Sequence, residues 1–206
     1  MITLITPSAL AVSVDEAKEY GRIDGSDEDG VVESIVRVSQ DLVEDYTGRA
    51  AGLATYQWSA EAWPSWQVDN YYRFPAFVRP KRREIVLGRS PLVSVESFKY
   101  INPEGQLVTI DPSSYSVDTF NLPGRVVLKA EFSLPDLDTT SNHPDVVAIE
   151  FKAGVSNSIL NQAIKMMFVN LYENRSPVVT GTIATELPMS IKHLLRSQRV
   201  ETPFSS

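Results

Sequence analysis

Asp27-Glu28-Asp29-Gly30-Val31-Val32-Glu33-Ser34-Ile35-Val36-Arg37-Val38-Ser39-Gln40-Asp41-Leu42-Val43-Glu44-Asp45-Tyr46-Thr47-Gly48 decides how this chain is built. Val31, Ile35, Val38, Leu42 and Tyr46 recur at steps of four, three, four and four, and Val32, Val36 and Val43 widen the stripe. That spacing predicts an amphipathic helix beginning near Asp27. Its acidic first turn suits the helix dipole, and Gly48 is a residue able to take the left-handed stop. Asp41, Glu44 and Asp45 fall on the predicted solvent side.

A helix of this kind needs something to bury its stripe against, because isolated helices are marginal in water. The partner stripe lies far along the chain, after Gly154: Ile159, Leu160, Ala163, Ile164, Met167, Phe168, Leu171 and Tyr172, capped by Ser156 or Asn157 and running to about Asn174. Ser13-Val14-Asp15-Glu16 has the form of a capping box and predicts a short helix from about Val14 to Tyr20, stopping at Gly21. Pro188 starts a last short helix with Ile191, Leu194 and Leu195 on one side. The helices before residue 50 and after residue 154 are expected to pack on each other.

Between them the period changes. Leu53 to Ala62, Glu84 to Leu87, Val93 to Ile101, Gln106 to Ile110, Tyr115 to Asp118, Arg125 to Ala130 and Val146 to Lys152 read as strands, rich in Thr, aromatic and β-branched residues. Asn102-Pro103-Glu104-Gly105 is a turn signal that makes the third and fourth of these a hairpin. Val147, Ile149 and Phe151 alternate on one face of the last. The predicted class is α+β: a small helical bundle formed by the N- and C-terminal helices, with a β-rich insertion between them. Residues 1–50 and 154–198 form the helical frame, 51–153 the inserted β-rich domain, and 199–206 a flexible tail.

Composition removes several functions. The chain has 206 residues, a formal net charge of −7 and no cysteine. Disulfide frameworks, thiolate zinc sites and cysteine nucleophiles are excluded together. Bulk charge does not make it a nucleic-acid binder. Met1 to Pro7 has neither the basic start nor the apolar run of a secretory signal. No stretch approaches a membrane span, so no membrane partner is expected. His143 and His193 have no second ligand at metal spacing, and no phosphate-cradling glycine loop or nucleophile elbow occurs. No catalytic residue, metal or cofactor is expected, and the chain is read as not an enzyme.

One cluster stands out in an acidic protein: Arg73, Arg79, Lys81, Arg82, Arg83 and Arg89, with Trp58, Trp63, Trp66, Tyr71, Tyr72, Phe74 and Phe77 before and among them. Trp, Tyr and Arg are the residue types that dominate interface energies. The stretch reads either as a solvated loop beside an aromatic mini-core or as an interface with an acidic neighbour, a partner protein or passing phosphates. An aromatic groove binding carbohydrate or peptide is the alternative function.

Taken in order, these segments resemble the head–tail connector proteins (adaptor or head-completion proteins) of long-tailed bacteriophages and gene transfer agents. The matching pieces are Leu4-Ile5-Thr6-Pro7, Val14-Asp15-Glu16-Ala17-Lys18, Arg22-Ile23-Asp24, Asp27-Glu28-Asp29 and Val43-Glu44-Asp45-Tyr46-Thr47-Gly48-Arg49. They continue with Glu84-Ile85-Val86-Leu87, Ser90-Pro91-Leu92-Val93-Ser94-Val95, Pro123-Gly124-Arg125-Val126, Phe151-Lys152-Ala153-Gly154 and Leu171-Tyr172-Glu173-Asn174-Arg175. The stretch from Tyr56 to Arg83 and the loop from Leu134 to Pro144 depart from that pattern.

The resemblance implies a structural virion protein of the neck, assembled in the host cytoplasm. It forms a ring, typically of twelve copies, that joins the portal to the tail and extends the DNA channel. Its implied partners are further copies of itself, the portal protein, a tail-side neck protein (stopper or tail terminator), and genomic DNA passing without sequence-specific contact. On that reading Asp27, Glu28 and Asp29 with Arg79, Lys81, Arg82, Arg83 and Arg89 are the candidate halves of a subunit interface. Pro188, Ile191, Leu194, Leu195, Arg196 and Arg199 are the candidate portal-docking residues.

Overall fold

A computed structural model describes residues 1–64, 83–138, 143–174 and 187–200. The chain divides into two compact units. One is helical and comprises Ser8–Leu53 and Gly154–Ser206. The other comprises Met1–Pro7 and Ala54–Ala153 and holds the strands. The fold class is the α+β class read from the sequence.

The helical unit contains α1 (Val14–Gly21), α2 (Asp29–Thr47), α3 (Ser158–Glu173) and α4 (Met189–Leu195), the last followed by one 3₁₀ turn (Arg196–Gln198). Two of the four starts, those of α1 and α3, are capped by side chains. The Ser13 hydroxyl accepts from Glu16 N while Glu16 reaches back to Ser13 N, the complete capping box. The Asn157 side chain accepts from Ile159 N and Leu160 N and opens α3. Gly48 ends α2 in the left-handed region, at φ 68°. α1 ends differently from the expectation: Arg22, rather than Gly21, takes the left-handed cap, and its N–H bonds Glu19 O.

Val32, Val36 and Val43 of α2 pack with Leu160, Ala163, Ile164, Met167 and Phe168 of α3, closed by Ile191 and Leu195 of α4. Each large side chain contributes about 1.5–3 kcal/mol relative to exposure. The stripe of α2 is turned relative to its reading. Val31 and Val38, placed on the core face by their spacing, are 45% and 50% exposed, and Ile35, Leu42 and Tyr46 are half-buried. Both faces are valine-rich, so the period alone does not set the phase. Glu44, expected on the solvent side, is buried.

The strand unit has two sheets. In the first the order is β1 (Ile2–Thr6), β2 (Ala54–Ala60), β8 (Val147–Ala153), β4 (Leu92–Ile101), β5 (Leu107–Thr109). In the second it is β3 (Glu84–Val86), β7 (Arg125–Leu128), β6 (Tyr115–Asp118). Every pairing is antiparallel. β8 is central, and Val147, Ile149, Phe151 and Ala153 face the core, as their alternation predicts. Tyr56 lies opposite Phe151, Trp58 and Phe98 lie opposite Ile149, and the Tyr56 and Phe151 rings stack at 5.7 Å. The β4–β5 turn closes at Gly105 (φ 75°), whose N–H bonds Asn102 O at 2.9 Å.

β1 corrects a boundary. The sequence reading put residues 1–50 with the helices, but Ile2 pairs with Trp58 and Leu4 with Tyr56, so residues 1–7 belong to the strand unit. The partner strand is more than fifty positions away, and nothing local announces it. The expected tail begins later too: Val200 N bonds Thr47 O at 2.8 Å, and Arg199 lies over the Tyr46 ring at 5.2 Å. Residues 201–206 of that predicted tail lie outside the described residues.

Candidate assembly surfaces

The acidic candidates sit where α2 begins. Asp29 accepts from Lys18 Nζ at 2.6 Å, an ion pair that ties α1 to α2. Glu28 precedes α2 and accepts from Tyr172 Oη at 2.6 Å, which joins the start of α2 to the end of α3. Asp27 is exposed. Two of the three residues therefore serve the internal architecture of the helical unit.

The basic candidates divide. Arg79, Lys81 and Arg82 lie outside the described residues, as do Trp66, Tyr71, Tyr72, Phe74 and Phe77. Arg83 donates to the carbonyls of Lys129 and Ala130, the latter at 3.0 Å, and so fastens the entry to β3 beside the end of β7. Arg89 lies 5.8 Å from the Tyr56 ring centre. The described aromatics of the same stretch are interior. Trp58 is buried, and Trp63 Nε1 donates to Pro135 O at 3.0 Å with its ring 6.1 Å from that of Phe98. Trp58 is thus part of the core, and the half-buried Trp63 packs against Phe98 and Tyr100.

The portal-docking set divides by burial. Ile191 and Leu195 are 1% and 0% exposed and belong to the helical core. Pro188 is the N-cap of α4, Leu194 is half-buried, and Arg196 and Arg199 are exposed. The apolar period marked the inner face of α4, as amphipathic periods usually do.

Two exposed apolar features escaped the sequence reading. The first is a shallow, open groove lined by Val31, Ser34, Ile35, Val38 and Leu171. Its signal is the spacing of Val31, Ile35 and Val38, which the sequence reading took as the core-facing stripe. The second is Phe120, 96% exposed on the loop between β6 and β7. That loop is held: Asp118 accepts from Phe120 N, Asn121 N and Asn121 Nδ2. Arg125 bridges Glu84 at 2.6 Å and Asp118 at 3.7 Å. These bonds, led by the Asn121 side chain, lower the Asp118 carboxyl below its usual range.

Among the described residues, no group of three or more His, Cys, Asp or Glu is placed to hold a metal ion, and no helix is long and apolar enough to cross a membrane.

No protein-family model and no curated protein matches the chain. Solved structures do. A chain of the neck of an empty gene transfer agent particle, computed with C6 symmetry, superposes with TM-score 0.72 at 17% identity, covering 100% of this chain and 98% of the other. A chain of the virion of a native gene transfer agent particle gives 0.73 at 16% identity with the same coverage. Its fold is that of gene transfer agent neck chains. A third, from the neck of a native particle computed with C12 symmetry, gives 0.70 at 17% identity over the same shares. The neck-chain fold is the one that the resemblance in the sequence implied. It spans both units and leaves 2% of that neck chain unmatched.

Proposed function

We propose that this protein is a structural component of a phage-type virion neck, acting without catalysis. It forms a ring that joins the portal to a tail-side neck protein and extends the channel through which DNA passes. The observation that carries the reading is the match of fold over essentially the whole of both chains to neck structures. One of those necks was computed with C12 symmetry and another with C6, and a ring of twelve copies is compatible with both. The net charge of −7 also suits a channel that must not hold DNA, since dense phosphate contacts would bind it tightly.

The test is imaging. Purified protein, alone and mixed with the portal protein of the same phage or prophage, should give rings or a collar on the portal in negative stain. Native mass measurement then counts the copies. A monomer that neither forms rings nor binds the portal sinks the proposal.

A further inference from the structure

We propose that α4 of one copy docks in the α2–α3 groove of the next copy, a head-to-tail contact within the ring. The inference rests on the ring reading above and supplies the two surfaces that close it.

The groove is apolar along Val31, Ile35, Val38 and Leu171. One end of it is acidic. The bond from Tyr172 to Glu28 brings the start of α2 beside the end of α3, so Asp27, Glu28 and Glu173 share that end. Residues 8–53 as a whole carry eleven acidic side chains against four Lys and Arg.

α4 has the opposite character. Ile191 and Leu195 face its own core, so its exposed side runs through Met189, His193 and Arg196, at steps of four and three. Met189 is 70% exposed. Residues 187–200 carry Lys192, Arg196 and Arg199 and no Asp or Glu. The helix thus presents an apolar start and a basic finish, against a groove with an apolar floor and an acidic end.

Both surfaces belong to one helical unit, at opposite ends of α2. Arg49 Nε donates to Gln198 O at 2.7 Å and Val200 N to Thr47 O at 2.8 Å, which anchors the end of α4 beside the C-terminus of α2. The acidic end lies at its N-terminus, nineteen residues away. Asp41, Asp45 and Lys192 already have interactions within the chain. A unit with unlike poles assembles heterologously, each copy giving α4 to one neighbour and its groove to the other. A two-fold contact of groove with groove would set acid against acid.

The chain has no cysteine, so crosslinking is clean. Val38→Cys and Met189→Cys are made singly and together in the full chain, with the exposed Glu104→Cys as a surface control, and oxidised mildly at high protein concentration. The double variant is expected to give a ladder of covalent multimers, and the two single variants mixed should give a dimer. Each single variant alone should crosslink no more than the control. Adding Arg196→Glu to the double variant should lower the ladder several-fold. Absence of a ladder, or strong dimers from either single variant alone, overturns the contact. Negative stain of the same samples before oxidation separates the two proposals. Rings without a ladder remove this contact and leave the ring, whereas the absence of rings, together with no collar when the portal protein is added, removes the ring itself.

Discussion

Gln40 Nε2 donates to Glu44 Oε1 at 2.9 Å inside the helical unit, and both side chains are almost fully buried. The pair fastens three segments. Gln40 Oε1 accepts from Ala11 N at 2.8 Å, Gln40 Nε2 also reaches Ser8 Oγ, and Glu44 Oε1 accepts from Ala51 N at 2.9 Å. Buried polar groups cost little when paired and much when orphaned. Gln40→Leu keeps the volume and strands Ala11 N and Ser8 Oγ. It should lower stability by about 1–3 kcal/mol, read as a shift of the urea midpoint with unchanged slope. An unmoved midpoint would show that water replaces the amide at no cost.

The same pair shows what a period conveys and what it does not. The existence, ends and partners of α2 and α3 were legible, because caps and apolar spacing are local. The phase of α2 was not, since Val31 and Val32, like Val36 and Val38, leave two faces nearly equal in hydrophobicity. Gln40 and Glu44 look like solvent residues until the segments carrying Ala11 and Ala51 return to meet them. Ile191 and Leu195 were legible as an apolar face but not as an inward one. Which way a face points depends on contacts made by residues distant in sequence.

The phase makes a prediction of its own. Val36 is fully buried and Val31 is 45% exposed on the same helix. Val36→Ala should cost roughly 1–2 kcal/mol, since each buried CH₂ removed is worth about 0.8 kcal/mol and a residual cavity adds to it. Val31→Ser should change stability by about 0.5 kcal/mol or less. Equal losses at the two positions, measured by denaturant unfolding, would mean that α2 is turned as its spacing first suggested.

Glu16 gives a pH dependence. Hydrogen bonding from the Ser13 backbone, more than any other cause, lowers its carboxyl below the usual value. A group whose folded pKa is depressed stabilises the fold above its unfolded pKa, and that contribution fades as pH falls through the folded value. Glu16→Ala should therefore melt below the parent at pH 7, and the gap should narrow as pH drops through the carboxylate range. Thermal melts at pH 7 and pH 3 make the comparison. A gap that is constant with pH would mean that ionisation of the Glu16 carboxyl does not carry the loss, since Ala is itself the better helix former.

Gly154 shows where a side chain cannot be added. Its φ is 118°, outside the range other residues adopt readily, and a Cβ there would collide with the carbonyl of Gly52. Gly25 makes the control: its φ is 80°, but nothing lies within 4 Å of an added Cβ. Ala at Gly25 meets only the backbone penalty, whereas Ala at Gly154 adds a collision that the packed carbonyl cannot relieve. Gly154→Ala should therefore cost well over about 1 kcal/mol and clearly more than Gly25→Ala. Urea unfolding of the two variants side by side reads the difference. A Gly154→Ala protein no weaker than Gly25→Ala would mean that the two backbone segments move apart at almost no cost.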